Sequence, residues 1–298
     1  MTATALAGGY ALDLLLGDPR RGHPVAAFGA LAQRLETAMY APSRPRGAAY
    51  TVALAGGVTA LGGLASRRLG RTATLAAATW IALGGRSLTR VAARLADEVE
   101  RGDLDAARAT LPSLCGRDPD GLDADGLVRG ALESVAENTA DAVVGALVWG
   151  ALGGPAAVLG YRAANTLDAM VGHRSERYRE FGWAAARLDD LLNLPVARLS
   201  ALLAIACAPL AGGSSIAAAR TAWRDGRRHP SPNAGRVEAA FAGALGVRLG
   251  GPLAYAGIAE DRPALGDGRA PSVADLRRAI RLSHAVGAAA LLTCAVPT

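Results

Sequence analysis

Long stretches without charge alternate with short clusters of charged and amide side chains along the 298-residue chain. A run of about 20 apolar residues can cross the roughly 30 Å hydrocarbon core of a bilayer. No regular β alternation interrupts the pattern, which predicts an all-α, polytopic integral membrane bundle. The uncharged segments have 20, 14, 20, 21 and 17 residues, the last including one histidine: Gly47–Ser66, Thr72–Gly85, Ala142–Tyr161, Leu199–Ala219 and Leu282–Thr298.

The N-terminal residues Met1–Leu12 are also apolar. They lack the charged lead and small-residue cleavage site of a secretory signal, so we expect a retained membrane element. A soluble alanine-rich helical protein is the alternative, because its buried helices also lack charge. Several such segments in one chain favour the membrane.

Two Gly-Gly-Pro sequences interrupt apolar segments. Leu152-Gly153-Gly154-Pro155 begins 11 residues after Asp141, and Leu249-Gly250-Gly251-Pro252 begins at the same distance after Glu238. Proline removes a backbone donor and glycine loosens the helix, so both sites predict broken or re-entrant helices. The echo indicates either a structural repeat or chance similarity in Ala/Gly-rich sequence. A single crossing by Ala142–Tyr161 would place its polar flanks on opposite membrane faces, whereas a hairpin would place them on one face.

The region from about 86 to 141 is polar and must lie outside the hydrocarbon. Arg86–Gly102 has the period of an amphipathic helix, and Asp103 is a plausible N-cap for a short helix over Leu104–Leu111. We therefore expect one integral membrane domain, 1–298, with a polar helical insertion at about 86–141.

Composition narrows the function. The chain is 51% hydrophobic and 19% charged, and its net charge is +6. All 32 basic residues are arginine, which excludes lysine Schiff-base chemistry and a Walker A lysine. The absence of a basic stripe with interleaved aromatics argues against nucleic acid. Three distant cysteines fit neither a disulfide framework nor a zinc pattern.

The first cluster of candidate residues is ESVAENTAD, which leads directly into Ala142–Tyr161. Glu133, Glu137 and Asp141 are spaced i, i+4, i+8 and form an acidic stripe on a helix, with Asn138 beside it. A solvated helix face would explain such a run. Its position at the bilayer boundary favours a functional role, because like charges there need a cation or arginines.

The second cluster combines carboxylates, amides and arginines after the apolar run. Asn165 and Asp168 are i, i+3 neighbours, and Asp189, Asp190 and Asn193 form a DDxxN pattern. Hard oxygen ligands of this kind suit Mg²⁺ that bridges phosphate oxygens. Arginines can clamp phosphate bidentately or anchor a helix at the interface, and the candidates are Arg162, Arg177, Arg187 and Arg198.

The third group consists of polar turns. His23 follows Gly17-Asp18-Pro19, and His229 opens the sequence HPSPNAG, which contains Asn233 and precedes Glu238. A histidine near neutral pKa is a candidate general base, although turn chemistry alone explains much of these sequences.

These motifs together resemble the cobalamin-biosynthesis CobD/CbiB family of adenosylcobinamide-phosphate synthases. The matching blocks follow the family's order along nearly the whole chain. The chain departs from the family pattern at Ala142, at Ala146-Leu147-Val148 and at His173, but the polar residues are retained. The blocks are DLLLGDPRRGHPV, GRDPDGLD, ESVAENTAD, YRAANTLDAMVG, RYREFGWAAARLDDLLNLPVARL and HPSPNAGRVEAAFAGALGVRLGG.

The resemblance implies a multi-pass enzyme of the cell (inner, cytoplasmic) membrane. It would join adenosylcobyric acid to (R)-1-amino-2-propanol or its O-phosphate in an amide bond, with ATP and Mg²⁺. We assign roles at the matching positions as a hypothesis. Catalytic roles fall to Asp141, Asp189, His23 and His229, with one histidine as the base. Substrate and ATP binding falls to Arg162, Arg187, Asn138, Asn165, Asn193 and Asn233, and metal binding to Glu133, Glu137, Asp168 and Asp190, with Asp141 and Asp189 also facing Mg²⁺–ATP.

Two other functions remain open at this stage. A membrane prenyltransferase-like enzyme would use a diphosphate substrate with metal, as the DDxxN pattern suggests, and would need no ATP. A non-catalytic subunit of a corrinoid transport or assembly complex would bind corrinoid without turnover. The sequence leaves the orientation, the number of crossings and the oligomeric state undetermined.

Overall fold

The computed structural model of the chain describes residues 1–19, 22–173, 175–255 and 258–296. A five-residue π-helical turn, Ala140–Val144, joins two of the helices, and 3₁₀ turns cover Leu111–Ser113 and Ala208–Ala211. The α-helices and strands are α1 (Thr2–Leu16), α2 (Pro24–Met39), α3 (Arg44–Leu69), α4 (Arg71–Ala82), α5 (Gly85–Glu100), α6 (Leu104–Thr110), α7 (Ala124–Thr139), α8 (Gly145–Val171), α9 (Tyr178–Phe181), α10 (Trp183–Cys207), α11 (Ser215–Asp225), α12 (Ala234–Leu245), β1 (Leu249–Tyr255), β2 (Ile258–Leu265) and α13 (Val273–Ala295).

The predicted helical membrane bundle is confirmed. Within the described ranges, three helical segments are long and apolar enough to cross a membrane: Arg44–Leu69, Ala124–Val171 and Trp183–Ala211. In α3 only 28% of the apolar window is buried, and Val52 and Leu61 are 70% and 65% exposed. Apolar side chains exposed along a helix of this length suit a lipid environment.

Other predicted apolar segments differ from the structure. Leu199–Ala219 is not one helix, because α10 gives way to a 3₁₀ turn and Gly212 takes a left-handed conformation before α11 begins. Thr72–Gly85 is not one helix either, because the 12-residue α4 ends at Ala82 and Gly85 begins α5. Leu282–Thr298 lies in α13 as far as Ala295, with its last two residues outside the described ranges, and does not meet the length and hydropathy of a span.

The break predicted at Gly153-Gly154-Pro155 is confirmed. Gly154 has φ 67° and ψ −154°, a conformation essentially restricted to glycine, inside an otherwise helical segment. Asp141 and Asn165 would be about 36 Å apart on a straight helix, but their side chains are hydrogen-bonded at 3.3 Å. The chain therefore folds back at Gly154 into two half-helices, so Ala142–Tyr161 is a hairpin, and Asp141 and Asn165 lie at the same end of it.

The second predicted break, at Gly250-Gly251-Pro252, is wrong. This sequence lies in β1, which pairs antiparallel with β2, and a bulge falls between Leu249 and Gly251. Gly250 and Gly251 have φ values of 80° and 88°, which a right-handed helix cannot accommodate. The two Gly-Gly-Pro sequences thus form a helical hairpin and a β-strand, and the structural repeat is not present.

The helical prediction for the polar region is confirmed. α5 follows the amphipathic period, burying Leu88, Ala92 and Leu95 on one face. Asp103 caps α6 by accepting a hydrogen bond from the Ala106 N–H at 3.1 Å, as the N-cap pattern predicts.

The chain divides into two compact units. The first contains residues 1–84, 141–194 and 291–298, and the second contains residues 85–140 and 195–290. In the first unit α3 packs on α8, and α1 on α4. A buried core there includes Tyr50, Leu167 and Phe181. In the second unit α5 packs on α7 and α11 packs on α12. The polar region predicted as an insertion belongs to this second unit, and the prediction of a single domain stays a prediction.

Candidate active site

A hydrogen-bonded group of six side chains lies in the first unit. We call it the aspartate–asparagine cluster; its members are Asp141, Tyr161, Arg162, Asn165, Asp189 and Asn193. Asn165 is at its centre. Its Nδ2 donates to Asp141 Oδ2 at 3.3 Å and to Asp189 Oδ1 at 3.2 Å. Two carboxylates distant in sequence therefore meet at one amide nitrogen.

The hairpin at Gly154 places these residues. Asp141 lies in the π-helical turn before the first half-helix, and Asn165 lies on the second half-helix, in α8. Short π-helical turns are rare and frequently occur at functional sites. Trp149 and Tyr161 face each other across the two half-helices, with ring centroids 6.4 Å apart. A Cβ on Gly145 would overlap the Tyr161 hydroxyl, so only glycine there leaves room for the ring.

Helix α10 contributes two residues to the cluster. Asp189 and Asn193 are i, i+4 neighbours on this helix and project on one face. Asn193 Nδ2 donates to Asp189 Oδ2 at 3.0 Å. The Tyr161 hydroxyl lies 2.8 Å from Asn193 Oδ1 and 2.9 Å from the Asp141 carbonyl oxygen. Because a hydroxyl carries one proton, Tyr161 donates to one of these oxygens at a time.

The charges of the cluster are partly balanced by Arg162. Its Nη1 donates to Asn165 Oδ1 at 3.1 Å, which orients the amide toward the two aspartates. The Nε atom of Arg162 is buried, and no described residue accepts a hydrogen bond from it. A buried N–H of a cation without an acceptor is costly. The cluster therefore presents two carboxylates and one available cationic donor.

Arg187, Asp168 and Asp190 are also predicted residues of the first unit, and they are not among the six members of the cluster. Asp190, next to Asp189 in the DDxxN pattern, is instead 3.4 Å from Arg187 in a largely exposed i, i+3 ion pair. Asp168 is half-buried near the end of α8, where a Cβ on Gly172 would contact its Oδ1. The helical period explains the split, because Asp189 and Asn193 share a face that Asp190 does not.

The second unit contains a different polar group built around Glu133 on α7. Glu133 Oε2 is hydrogen-bonded to Arg117 Nη2, and Glu133 Oε1 accepts the Gly250 N–H at 2.7 Å. Glu133 and Arg117 are 4% and 3% exposed. Removing one partner of a buried ion pair is strongly destabilising, because it leaves an uncompensated buried charge. Glu133 therefore ties the β-hairpin to α7.

Glu238 and His229 lie in the same unit. Glu238 is 2% exposed, and its Oε1 is 4.0 Å from His229 Nε2. Burial, together with the nearby carboxylates of Glu133 and Glu137, raises the pKa of Glu238 well above its usual value. The raised pKa favours the protonated form of Glu238 over the carboxylate.

Both candidate histidines cap turns. His23 Nδ1 accepts the Val25 N–H at the start of α2, and His229 Nδ1 accepts the Ser231 N–H, each at 3.1 Å. His23 Nε2 lies 3.4 Å from Asp18 Oδ1. An imidazole that accepts at Nδ1 carries its proton on Nε2, so neither ring nitrogen of His23 offers a lone pair in this arrangement. The base role of the histidines stays a prediction.

The amides of the second unit are also held by neighbours. Asn138 Nδ2 donates to the carbonyl oxygen and Oγ of Ser134, at 3.0 and 3.1 Å. Asn233 is 6% exposed, and its Oδ1 accepts from Arg198 Nη1 at 3.1 Å. Glu137 is half-buried one turn beyond Glu133.

The structure does not assemble the predicted metal ligands into a carboxylate cage. No three His, Cys, Asp or Glu side chains of the described residues are grouped so that they could hold a metal ion. Glu133 and Glu137 belong to the second unit, and Asp168 and Asp190 to the first. Mg²⁺ with a phosphate ligand needs only one or two carboxylates, however. The pair that fits this requirement is Asp141 and Asp189, because both contact one amide nitrogen.

Sequence reasoning missed Tyr161 and Arg117 as members of these groups. Both lie within sequence blocks that carry the family resemblance: Tyr161 begins YRAANTLDAMVG, and Arg117 is in GRDPDGLD. The recurrence of polar residues in those blocks was the available signal. Their partners depend on the fold-back at Gly154 and on the β-hairpin, which the residue pattern does not specify.

Comparison with known proteins supports the family resemblance of the sequence motifs. The profile of the family described as CobD/Cbib protein matches residues 6–283. A cobalamin biosynthesis protein CobD of Mycobacterium tuberculosis is 58% identical over 95% of this chain and 91% of its own length. Proteins of the same name from Pelobacter propionicus and Rhodobacter capsulatus are 45% and 41% identical, over 89% and 91% of this chain and 85% and 89% of their own lengths.

The match extends over nearly all of the chain, including both polar groups. The long apolar helices place the chain in the class of helical membrane proteins. The chain belongs to the CobD/CbiB family, whose members are named as cobalamin biosynthesis proteins. No solved structure matches it.

Proposed function

We propose that this protein forms an amide bond between adenosylcobyric acid and (R)-1-amino-2-propanol, or its O-phosphate, in an ATP-dependent reaction of cobalamin biosynthesis. Family membership supports the pathway. The proposed reaction type is supported mainly by one observation: Asn165 Nδ2 contacts both Asp141 and Asp189, and the Arg162 guanidinium lies beside them.

The chemistry has two requirements. A substrate carboxylate is a poor electrophile, because its own oxygen is a poor leaving group, and phosphorylation by ATP makes it a good one. The attacking amine must lose its proton to a nearby base. A site for this reaction needs an arrangement that holds phosphate charge and a carboxylate that accepts a proton.

The cluster fits ATP and Mg²⁺ on the residues it presents. The buried Nε–H of Arg162 lacks an acceptor among the described residues and suits a phosphate oxygen. Asp141 and Asp189 are the residues that would hold Mg²⁺, whose chemistry when bound is to neutralise phosphate charge. Arg162 also fixes the amide of Asn165, which keeps the two carboxylates together.

The two aspartates differ in burial and in hydrogen-bond partners, so we give them different roles. Asp189 is 9% exposed and accepts amide hydrogen bonds at both oxygens, from Asn165 and Asn193, so its carboxylate is fixed in place. Asp141 is half-buried and less enclosed. We assign the proton of the attacking amine to Asp141. Tyr161 positions Asp141 by contacting its backbone oxygen.

The test uses membranes that contain the protein, supplied with adenosylcobyric acid, aminopropanol phosphate and ATP, and follows the mass of the corrinoid product. Asp141→Asn and Asp189→Asn should each lower the rate at least about 100-fold while expression in membranes is unchanged. Asp97→Asn is the matched control, because Asp97 forms an exposed ion pair with Arg277 in the second unit.

The same assay separates the rival functions. A diphosphate-using transferase would release diphosphate without ATP, and a transport or assembly subunit would bind corrinoid with no product. Most of the wild-type rate in both Asp141→Asn and Asp189→Asn would remove the cluster from the reaction.

A further inference from the structure

A cavity lined by arginine lies in the second unit, and none of the residues assigned above to the reaction lines it. Its volume is about 460 Å³, and it opens between α7 and the β-hairpin. Arg129, Arg248 and Arg262 line it, and none of the described residues that line it is a carboxylate. A neighbouring cavity of about 340 Å³ shares Arg129, Arg248 and Gly250.

The fold brings these three arginines together from distant parts of the sequence. Arg129 is on α7, Arg248 immediately precedes β1, and Arg262 is on β2. Arg262 is the register partner of Gly251 across the hairpin. A Cβ built on Gly251 would lie 3.4 Å from Arg129 Nη1, so the end of the Arg129 side chain reaches the hairpin.

The wall of the cavity is fixed. Gly250, which lines it, donates its N–H to Glu133 Oε1 at 2.7 Å, and Glu133 is ion-paired with Arg117 in the interior. Arg129 and Glu133 are i, i+4 neighbours on α7, so one helix positions both the cavity wall and one of its arginines. The positive φ of Gly250 is what allows this N–H to reach α7.

Charge and size define the ligand. Guanidinium groups bind phosphate oxygens through paired, charge-assisted hydrogen bonds, and three of them around one cavity concentrate positive potential there. The volume lies within the range of small-molecule sites, about 300–1,000 Å³, so it admits more than an inorganic ion.

We propose that this arginine-lined cavity binds the phosphate group of a small phosphorylated ligand. The choice of ligand rests on the proposed function, which offers two sources of the same chemistry: the polyphosphate of ATP and the monoester of aminopropanol O-phosphate. The cavity selects phosphate over the free amino alcohol.

The test measures binding to the full-length protein in a neutral detergent by calorimetry at fixed ionic strength. The probes are pyrophosphate, ATP, aminopropanol O-phosphate and free aminopropanol. Wild type should bind at least one phosphorylated probe and not the free amino alcohol. Arg129→Ala and Arg248→Ala should each weaken that binding at least about tenfold.

Arg220→Ala is the matched control, because Arg220 is exposed on α11 in the same unit and does not line the cavity. Arg248→Lys, which keeps the charge, should retain part of the affinity, and an unchanged unfolding temperature shows that the variants are folded. Binding of ATP and pyrophosphate that weakens in Arg129→Ala and Arg248→Ala identifies the polyphosphate source, whereas such dependence for the O-phosphate alone identifies the monoester.

Failure of this site differs from failure of the proposed function. Phosphate binding that depends on Arg129 and Arg248 in a protein that makes no amide product supports the cavity and overturns the reaction. Wild-type affinity for every phosphorylated probe in both alanine variants, or no binding by wild type, overturns the cavity.

Discussion

The fold-back at Gly154 is the feature on which the aspartate–asparagine cluster depends, and Gly154→Ala perturbs it with one methyl group. Gly154 has φ 67° and ψ −154° between two half-helices. The substitution favours a regular helix through this point. A regular helix would move Asp141 away from Asn165, because 24 residues of helix extend about 36 Å.

The expected loss of stability in Gly154→Ala follows from the backbone conformation at this position. A non-glycine residue in this region of φ/ψ space costs about 1–3 kcal/mol. The added Cβ would lie 3.3 Å from Arg71 Nη2, the mobile end of a side chain, so steric overlap adds little. In chains of roughly this size each kcal/mol lowers the unfolding temperature by about 2–4 °C. We expect a loss of several degrees.

The assay combines thermal unfolding in detergent, read by tryptophan fluorescence, with the coupling rate. Gly56→Ala is the control, because Gly56 lies in helix α3 with no atom near its Cβ position, and alanine should stabilise that helix by up to about 1 kcal/mol. The rate of amide formation should fall in Gly154→Ala by more than its lower stability explains. Stability equal to that of Gly56→Ala would refute the left-handed turn at Gly154.

Two further predictions concern the second unit. Asp275 is 1% exposed, and burial alone would raise its pKa, but hydrogen bonds from Arg269 and Ser272 outweigh burial and lower the pKa to about 2. The Asp275 carboxylate therefore stabilises the fold above about pH 4, and this stabilisation is lost as pH falls through about 2. Asp275→Asn should therefore cost about 2 kcal/mol at pH 7 and about half that at pH 3, measured by thermal unfolding, and a difference independent of pH would contradict the assignment. Arg117→Met should cost about 3–5 kcal/mol because it leaves the Glu133 charge buried, whereas Arg117→Met/Glu133→Gln should cost less in denaturant unfolding; a double loss equal to the sum of the Arg117→Met and Glu133→Gln losses would mean the pair is uncoupled.

Local features of the fold could be read from the sequence. The amphipathic period of α5 and the Asp103 cap of α6 depend on neighbours within a few residues, and both are as predicted. The break at Gly153-Gly154-Pro155 followed from the residue chemistry of glycine and proline. The same reasoning failed at Gly250-Gly251-Pro252, because a partner strand and a hydrogen bond to Glu133 decide that conformation.

Candidate site residues were predictable in type but not in partner. Asp141, Asn165, Asp189 and Asn193 were proposed from their chemistry, and the structure joins them by hydrogen bonds. Residues one or two positions away diverge, as Asp190 does, because helix rotation decides which side chains share a face. Periodicity alone could not supply that rotation through the π-helical turn at Ala140–Val144.

The most direct test of the re-entrant hairpin is a cross-link between its two flanks. Asp141→Cys/Asn165→Cys, in a chain with its three native cysteines replaced, is treated with a short bifunctional thiol reagent and analysed by mass spectrometry. Arg44→Cys/Arg68→Cys is the control, since the same 24-residue separation there lies on the unbroken helix α3 and extends about 36 Å. We predict an intramolecular cross-link in the first pair and none in the control. Absence of a cross-link in both would show that Asp141 and Asn165 lie at opposite ends of a straight helix, which contradicts a shared site.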